Sequence, residues 1–366
     1  MKNTFGSSVT LTVFGESHGP YVGAVLDGLA PGMPVSAQSI NTALAMRRPH
    51  GAISTGRRET DEYIIASGVF DCKTTGTPLC IIIPNSDIRS ADYDYGKARP
   101  GHADYTAYMK YHGFEDYRGG GHFSARLTAP ITAVCAILRD ALAAKGIYIG
   151  THISSLQGIR DREFSDLEKD IAELNGKLYP VLSGEAEKLM TEKTLAAAAE
   201  GDSVGGVLQT AITGIPAGVG EPFFDSVESV LSHVLFSVPA VKGVSFGAGF
   251  GFASMYGSEA NDAMRYDSGG AVTFRTNNNG GVNGGITNGA PIIINTAVKP
   301  TPSIYKEQDT IDFINKENVK RGISGRHDPA VIHRARAVVD ALCAFAVFDM
   351  LSFRYGTDHF APGGNG

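Results

Sequence analysis

The sequence predicts an α+β protein with antiparallel sheets, built as one large domain. Segments 63–70 (YIIASGVF) and 78–84 (PLCIIIP) are strand patterns joined by a short turn with no helix between them, and such units pair antiparallel. Helical periodicity occurs separately, as in segment 128–145. No Pro/Ser/Gly-rich linker divides the 366 residues, so we expect 1–354 to be a single domain and 355–366 to be a disordered tail.

The composition is that of a globular protein with a full core, because 43% of the residues are hydrophobic and 19% are charged. The net charge of −6 argues against a general nucleic-acid or membrane surface, although clustered arginines can still form a local positive pocket. The N-terminus has no long apolar segment, and the four cysteines show no CxxC spacing. We therefore expect a cytoplasmic protein without a metal site that binds neither nucleic acid nor membranes.

The first part of the chain predicts two strands and a helix. Segment 8–14 alternates polar with apolar or β-branched residues and ends at the turn GESHG, which contains His18. A second strand is predicted in 21–35, where Pro and Gly stop it. An amphipathic helix begins near Ser36 and ends before Pro49, because the residue before a proline disfavours helical backbone.

Arginines cluster just after this helix. Arg47 and Arg48 lie at its C-terminus, and the polar loop that follows leads to Arg57 and Arg58. Such a cluster on an acidic protein suits an anionic ligand, although a merely solvated cationic loop is the alternative. His18 has two interpretations as well: an acid tuned by its neighbours, or a capping polar group at a strand end.

The rest of the chain continues the mixed pattern. Further strands are predicted at 147–159, 201–216 and 291–300, and further helices at 165–177, 184–201 and 226–239. Segment 243–262 alternates Gly with Phe, Ser or Ala. Its spacing GAGFGF does not match a dinucleotide-binding loop, so we predict a pair of strands whose glycines allow close backbone approach.

The central motif of the chain runs from Arg99 to Arg126 and suits an anion. Around the three successive glycines 119–121 it places further histidines and cations: His102, Lys110, His112, Arg118 and His122. Glycines let backbone N–H groups approach a ligand closely, and Ser124 adds a hydroxyl beside the guanidinium of Arg126. The helix predicted over 128–145 would direct its N-terminus at the same anion. The alternative is a glycine turn flanked by solvated charges.

Two further segments carry candidate groups. Lys299 is followed by hydroxyls at Thr301 and Ser303 in a proline-stiffened extended segment, which suits a phosphate. Arg326 and Asp328 precede the last apolar helix. The motifs of zinc proteases, serine hydrolases and P-loop proteins are absent. From the residues alone, the sequence indicates an enzyme that acts on a multiply anionic, phosphorylated small molecule by histidine acid–base chemistry.

Ten motifs, taken in order, resemble the chorismate synthase family. They cover nearly the whole chain: FGESHGP at 14–20, RRP at 47–49, RPGHADYT at 99–106, DYRGGG…SAR at 116–126, GDSVGG at 201–206, PAVKG at 239–243, GSEAND at 257–262, NGGITNG at 283–289, KPTPSI at 299–304 and GRHDPAV at 325–331. The resemblance implies a lyase of the shikimate pathway that forms chorismate by 1,4-anti elimination of phosphate from 5-enolpyruvylshikimate 3-phosphate. It also implies a need for reduced FMN, a homotetramer, and a β-α-β sandwich with a helical core between two antiparallel sheets.

The resemblance further assigns roles to residues of this chain. His18 would protonate the leaving phosphate, His102 would protonate the reduced flavin, and Asp328 would help to return the flavin N5 to its reactive state. The implied substrate contacts are Ser17, Arg48, Arg57, Arg99 and Arg126. The implied FMN contacts are His122, Phe123, Ser124, Ala240, Gly284, Lys299, Pro300, Thr301, Pro302, Ser303 and Arg326.

The chain departs from the family pattern at three places. His122-Phe123-Ser124 stands where the family commonly has Arg-Ser-Ser, so a titratable histidine replaces a cation. Pro302 replaces the first serine of a KPTSS motif, and Ile53 lies near the place of a further arginine. A phosphometabolite- or flavin-binding protein without catalysis is the alternative function. The chain has no added domain for reducing flavin with NADPH, so we expect an external reductant.

Overall fold

Antiparallel strands form the two main sheets of the molecule in the computed structural model, which describes residues 2–51, 53–54, 60–86, 95–322 and 328–364. The strands, in chain order, are β1 Thr4–Phe5, β2 Thr10–Gly15, β3 Tyr21–Asp27, β4 Ile64–Ser67, β5 Val69–Phe70, β6 Lys73–Thr74, β7 Leu79–Pro84, β8 Tyr148–Leu156, β9 Ile159–Arg160, β10 Gly206–Thr213, β11 Val241–Phe246, β12 Met264–Tyr266, β13 Val272–Phe274, β14 Val282–Asn283, β15 Ile286–Thr287, β16 Ile292–Val298, β17 Gln308–Asp312 and β18 Glu317–Arg321. The helices are α1 Ala37–Arg47, α2 Asp104–Tyr111, α3 Thr128–Ala144, α4 Leu167–Gly176, α5 Gly184–Ala199, α6 Val227–Phe236, α7 Gly257–Ala260 and α8 Ile332–Tyr355.

Two five-stranded sheets carry the architecture. The first has the strand order β1-β2-β3-β7-β4 and the second the order β11-β16-β10-β8-β9. Every neighbouring pair in both sheets is antiparallel. The remaining short strands form separate two-stranded hairpins.

Helices fill the space between the two sheets. α3 packs on β3 and β7 of the first sheet, α8 packs on β8 and β10 of the second, and the two helices pack on each other. Covered on both sides, α8 is buried over almost its whole length, from Ile332 to Ser352. The expected α+β sandwich with a helical core is confirmed.

Local sequence signals set several helix ends. Ser36 caps α1 by accepting the N–H of Ser39 at 3.1 Å, and Ser226 caps α6 by accepting the N–H of Ser229 at 3.1 Å. Pro130 lies in the first turn of α3, where a missing N–H costs nothing. Within the described chain, 125–144 is the one helical stretch long and apolar enough to cross a membrane, and 67% of it is buried inside the molecule.

The start of the chain is fixed to the last helix. The carboxylate of Asp349 in α8 accepts the backbone N–H groups of Ser7, Ser8 and Val9 at 2.9, 2.8 and 2.8 Å. These three bonds satisfy backbone N–H groups between β1 and β2 that the pairing of the two strands leaves without partners.

Two expectations about elements were wrong. In 243–262 only β11 is a strand, because Gly249–Ser254 forms a 3₁₀ turn that leads into α7. The expected disordered tail is folded at Thr357–Phe360, where a further 3₁₀ turn places the ring centroids of Phe360 and Phe348 3.8 Å apart. α2, inside the central motif, was not predicted.

Candidate active site

The three-glycine turn brings two histidines together. Gly119, Gly120 and Gly121 all have positive φ, at 62°, 81° and 52°. A Cβ on Gly119 would overlap the imidazole of His18, and a Cβ on Gly120 would lie 3.1 Å from Cε1 of His102. The glycines are therefore needed for a reason beyond backbone access to an anion: two consecutive positions must each admit an imidazole ring.

The turn that carries His18 is held by several hydrogen bonds. The N–H of Ser17 donates to the carbonyl oxygen of Gly121 at 3.0 Å, and Nδ1–H of His122 donates to the carbonyl oxygen of Gly15 at 2.8 Å. Asn85 Nδ2 donates to two further carbonyls of the same turn. His18 itself is buried, with its Nδ1 3.2 Å from Oγ of Ser17.

His102 is oriented by an ion pair. Its Nδ1 lies 2.7 Å from Oδ1 of Asp104, and Arg99 donates from Nε and Nη2 to the same carboxylate at 2.8 and 2.7 Å. Burial would raise the pKa of Asp104, but the hydrogen bonds from Arg99 and His102 outweigh it and hold that pKa far below its usual range. An ionised Asp104 accepts Nδ1–H, so Nε2 of His102 is the ring atom left for chemistry beside Gly120.

A cavity of about 730 Å³ opens on this turn. Its walls include most of the expected FMN contacts: His122, Phe123, Ser124, Ala240, Lys299, Thr301, Pro302 and Ser303. Gly119, His102 and Arg47 line it as well. Of the expected FMN contacts that the structure describes, Gly284 and Pro300 do not line this cavity. Gly284 lies on the β14–β15 hairpin.

The polar end of the cavity fits a phosphate. Lys299 donates from Nζ to the carbonyl oxygen of Gly101 at 2.5 Å, and burial together with Lys242 lowers the pKa of Lys299. Oγ1 of Thr301 is buried without a hydrogen-bond partner in the described parts of the chain. Both residues line the cavity, so a cation and a hydroxyl without a partner lie at its wall, where an anionic group would complete them.

Another part of the cavity lining fits a flat apolar ring. Its walls are hydrophobic side chains from the first sheet and from the helices between the sheets: Leu11, Val13, Ile131, Val338, Leu342 and Phe345. A volume of this size is within the range of ordinary ligand pockets of roughly 300–1,000 Å³. The residues present therefore fit FMN: Lys299 and Thr301 suit a phosphate, and the apolar wall suits a flat ring.

Arg99 faces a second cavity. This smaller space, of about 330 Å³, shares the walls His102, His122 and Phe123 with the first. Arg99 and Asp104 line it together. Of the expected substrate contacts, Arg99 is thus placed beside the catalytic candidate His102, whereas Arg57 lies outside the described residues, as do Arg326, Arg58 and His327.

A buried acid that was not among the predicted site residues forms ion pairs with three further arginines. Asp61 is buried, and its carboxylate contacts Arg126, Arg47 at 3.0 Å and Arg48 at 3.5 Å. Burial would raise the pKa of Asp61, but Arg47 and Arg126 lower it more. Arg48 keeps about a third of its side chain exposed, at 32%, so it is the member of this cluster that remains accessible.

Arg126 is buried and bonded to protein groups, unlike an arginine that binds a ligand at the surface. Its guanidinium also donates to Oδ1 of Asn85 at 2.9 Å and to the carbonyl oxygen of Pro84 at 3.0 Å, and its side chain is 2% exposed. Protein acceptors thus surround it. A direct contact between Arg126 and substrate stays a prediction and would require one of these bonds to be exchanged.

Asp328 is held by a further residue that sequence reasoning missed. Arg334, in the first turn of α8, donates from Nη1 to Asp328 at 2.6 Å and from Nε to the carbonyl oxygen of Arg47 at 3.0 Å. Arg334 also lines the larger cavity. The spacing of six residues across a helix start carries no recognisable pattern, so only the structure could find it.

The comparison with known proteins decides the family. The family model described as chorismate synthase matches residues 9–352. The chain belongs to the chorismate synthase family. Chorismate synthase from Methanosarcina mazei is 44% identical over 350 residues, which cover 95% of each chain, and that from Pyrococcus abyssi is 42% identical over 95% of this chain and 97% of its own.

A solved structure supports the same family at the level of the fold. A crystal structure of chorismate synthase superposes with a TM-score of 0.75 at 26% sequence identity, covering 96% of this chain and 94% of its own. Chorismate synthase from Korarchaeum cryptofilum is 42% identical over 94% of this chain and 96% of its own. The family resemblance deduced from the ten motifs is confirmed.

Proposed function

We propose that this chain is a carbon–oxygen lyase that converts 5-enolpyruvylshikimate 3-phosphate to chorismate and phosphate, with reduced FMN as cofactor. The observation that carries the proposal is the placement of His18 and His102 against consecutive glycines, beside a cavity whose walls are the expected flavin contacts. Two proton-transfer groups and an anion-binding cavity are the parts that such an elimination needs.

His18 is the proposed acid for the leaving phosphate. It is buried behind Gly119, a cavity wall, and its Nδ1 is next to the hydroxyl of Ser17. A phosphate that accepts a proton leaves more easily than its fully charged form. Ser17 would orient the ring and contact the same phosphate.

His102 is the proposed second proton carrier. Asp104 fixes the ring through Nδ1, so a proton is held or moved at Nε2, beside Gly120. Asp328, held by Arg334, would be the third polar group of the reaction. Arg48, Arg99, Arg57 and Arg126 would bind the substrate's carboxylates and phosphate, Arg48 from an accessible position and Arg99 from the wall of the smaller cavity.

FMN would be held by the wall residues already named. Lys299, Thr301 and Ser303 would take its phosphate, and Ser124 with His122 and Phe123 would contact the ring system. When bound in reduced form, FMN supplies an electron to the substrate and recovers it, which assists an anti elimination that is difficult in one concerted step.

We also propose a cytoplasmic homotetramer that receives reduced flavin from an external reductant. Segment 249–274 supports association of copies, because it exposes large apolar side chains at Phe250 (91%), Tyr256 (79%), Met264 (72%) and Tyr266 (76%). Sedimentation of the purified chain tests the assembly.

The deciding experiment is anaerobic incubation with reduced FMN and substrate, with release of phosphate and chorismate absorbance as readouts. We expect turnover in the wild type, and a loss of about 10²–10⁴-fold in His18→Ala and in His102→Ala, the scale for a positioned acid or base. Binding of FMN and substrate without turnover would favour the binding protein instead. Running the assay with NADPH and oxidised FMN shows whether an external reductant is needed.

A further inference from the structure

The first turn of α8 contains a buried histidine to which the proposed mechanism gives no role. His333 is 1% exposed, and its Nε2 lies 2.7 Å from Oγ of Ser54. Ser54 Oγ also accepts the backbone N–H of His50 at 3.1 Å, and His50 Nε2 lies 2.8 Å from the carbonyl oxygen of Ala45. A chain of hydrogen bonds therefore connects α8, through Ser54, to the C-terminal turn of α1.

The surroundings keep His333 neutral. Burial, followed by the charge of Arg334 and the nearby His50, lowers the pKa of His333 to about 3. Two uncharged groups contact the ring: the Ser54 hydroxyl and the ring of Tyr179, whose centroid is 5.9 Å away. Nδ1 has no hydrogen-bond partner within the described residues. An unpaired buried N–H is rarer than an unpaired acceptor, so the ring proton belongs on Nε2, which donates to Ser54.

The next residue of the helix holds the same region from another side. Arg334 donates to the carbonyl oxygen of Arg47, the last residue of α1, and both of these arginines line the larger cavity. Two adjacent residues of α8 thus fix the end of α1 and the loop that follows it. Arg48, the accessible arginine of the Asp61 cluster, lies between these two attachment points in sequence.

We propose that His333 is a positioning residue: by holding Ser54, its imidazole keeps the end of α1 in place, so that Arg48 meets the anionic substrate. This inference rests on the function proposed above. When the Ser54 contact is lost, the arginines sample other positions, and the apparent substrate affinity falls with the fraction of molecules that keep the competent one. Lys299, Thr301 and Ser303, the proposed phosphate contacts of FMN, lie on a separate segment, so FMN affinity is expected to fall less than substrate affinity.

The kinetic test compares Ser54→Ala and His333→Leu with the wild type. We expect each to raise KM for 5-enolpyruvylshikimate 3-phosphate about fivefold, the scale of one hydrogen bond, with kcat within about twofold. His333→Gln keeps an N–H donor and is expected to restore KM. Ser352→Ala removes a buried hydroxyl at the far end of α8 and is the matched control. A wild-type KM in both Ser54→Ala and His333→Leu, or an equal rise of KM in Ser352→Ala, overturns the proposal.

A second readout is independent of activity. Because the His50 amide donates to Ser54, its hydrogen exchange is expected to accelerate in Ser54→Ala and His333→Leu but not in Ser352→Ala. Nitrogen-15 spectra of the histidines are expected to show His333 protonated at Nε2 near neutral pH. A proton on Nδ1, or an unprotected His50 amide in the wild type, overturns the proposal. A wild type with both signals but no elimination activity refutes the proposed function while the contact stands.

Discussion

Substituting alanine for Gly119 separates the two reasons for the glycine turn. A Cβ there would overlap the ring of His18 and lie 2.7 Å from Oγ of Ser17, and the backbone φ of +62° disfavours any L side chain. Gly158, in the turn between β8 and β9, has φ of +83°, and no neighbouring atom lies within 4 Å of the point that a Cβ would occupy. Gly158→Ala is therefore the matched control for backbone strain alone.

The two effects have different sizes. Placing alanine in the left-handed region costs about 1–2 kcal/mol of stability in both variants. In Gly119→Ala the ring of His18 must also move, so we expect turnover to fall about 10²–10⁴-fold, which corresponds to roughly 3–5 kcal/mol of transition-state stabilisation. Gly120→Ala, with its Cβ 3.1 Å from Cε1 of His102, needs a shift of only a few tenths of an ångström and is expected to lose about tenfold.

Anaerobic turnover with reduced FMN, together with urea unfolding of each variant, measures both quantities. FMN affinity is recorded as well, because Gly119 lines the cavity. If Gly119→Ala keeps turnover within about twofold of Gly158→Ala at equal stability, the packing of His18 on this glycine has no part in catalysis. The reasoning about the glycine turn would then be refuted.

Three further predictions concern charge. His122→Arg should raise FMN affinity, because a guanidinium then brings a permanent charge to the cavity wall; an unchanged affinity would exclude a charge contact at this position. Asp61→Asn should lower the free energy of unfolding by about 3–5 kcal/mol, because it leaves buried arginines unpaired. Since the folded pKa of Asp61 lies below its ordinary 3.8, this carboxylate stabilises the fold above about pH 4 and less as pH falls, so urea unfolding between about pH 5 and about pH 2 should depend less on pH in Asp61→Asn. Arg48→Lys should raise the substrate Kd, because an ammonium cannot reproduce the guanidinium fork, whereas Arg126→Lys should mainly lower stability; an unchanged Kd in Arg48→Lys would contradict the clamp.

Local rules predicted the elements that local contacts determine. Ser36 and Ser226 are caps whose bonded N–H groups lie three residues away, so the sequence alone locates both helix starts. α2 was not predicted because it buries only Ala107, so its sequence has no apolar periodicity. The tail was predicted to be disordered from its glycine-rich composition. One residue, Phe360, orders it by stacking on α8, and composition does not show such a contact.

The site shows the same division. The three glycines, His18 and His102 stand in motifs that the sequence displays, and the structure brings them together at one turn. Asp61 was missed because its partners Arg47 and Arg126 are 14 and 65 residues away, and no spacing rule connects such positions. Arg334 was missed for a similar reason, because its contacts depend on how α8 packs against α1.

The bonds from Asp349 to Ser7, Ser8 and Val9 set an order of events during synthesis. The carboxylate that binds these N–H groups is made about 340 residues after them. The turn at the edge of the first sheet therefore cannot reach its final contacts until translation is almost finished. Contacts of such long sequence separation also slow folding, because the loop must close before they contribute. Until α8 is made, these N–H groups lack their carboxylate and the face of α3 that α8 covers is exposed, and aggregation at that stage competes with folding.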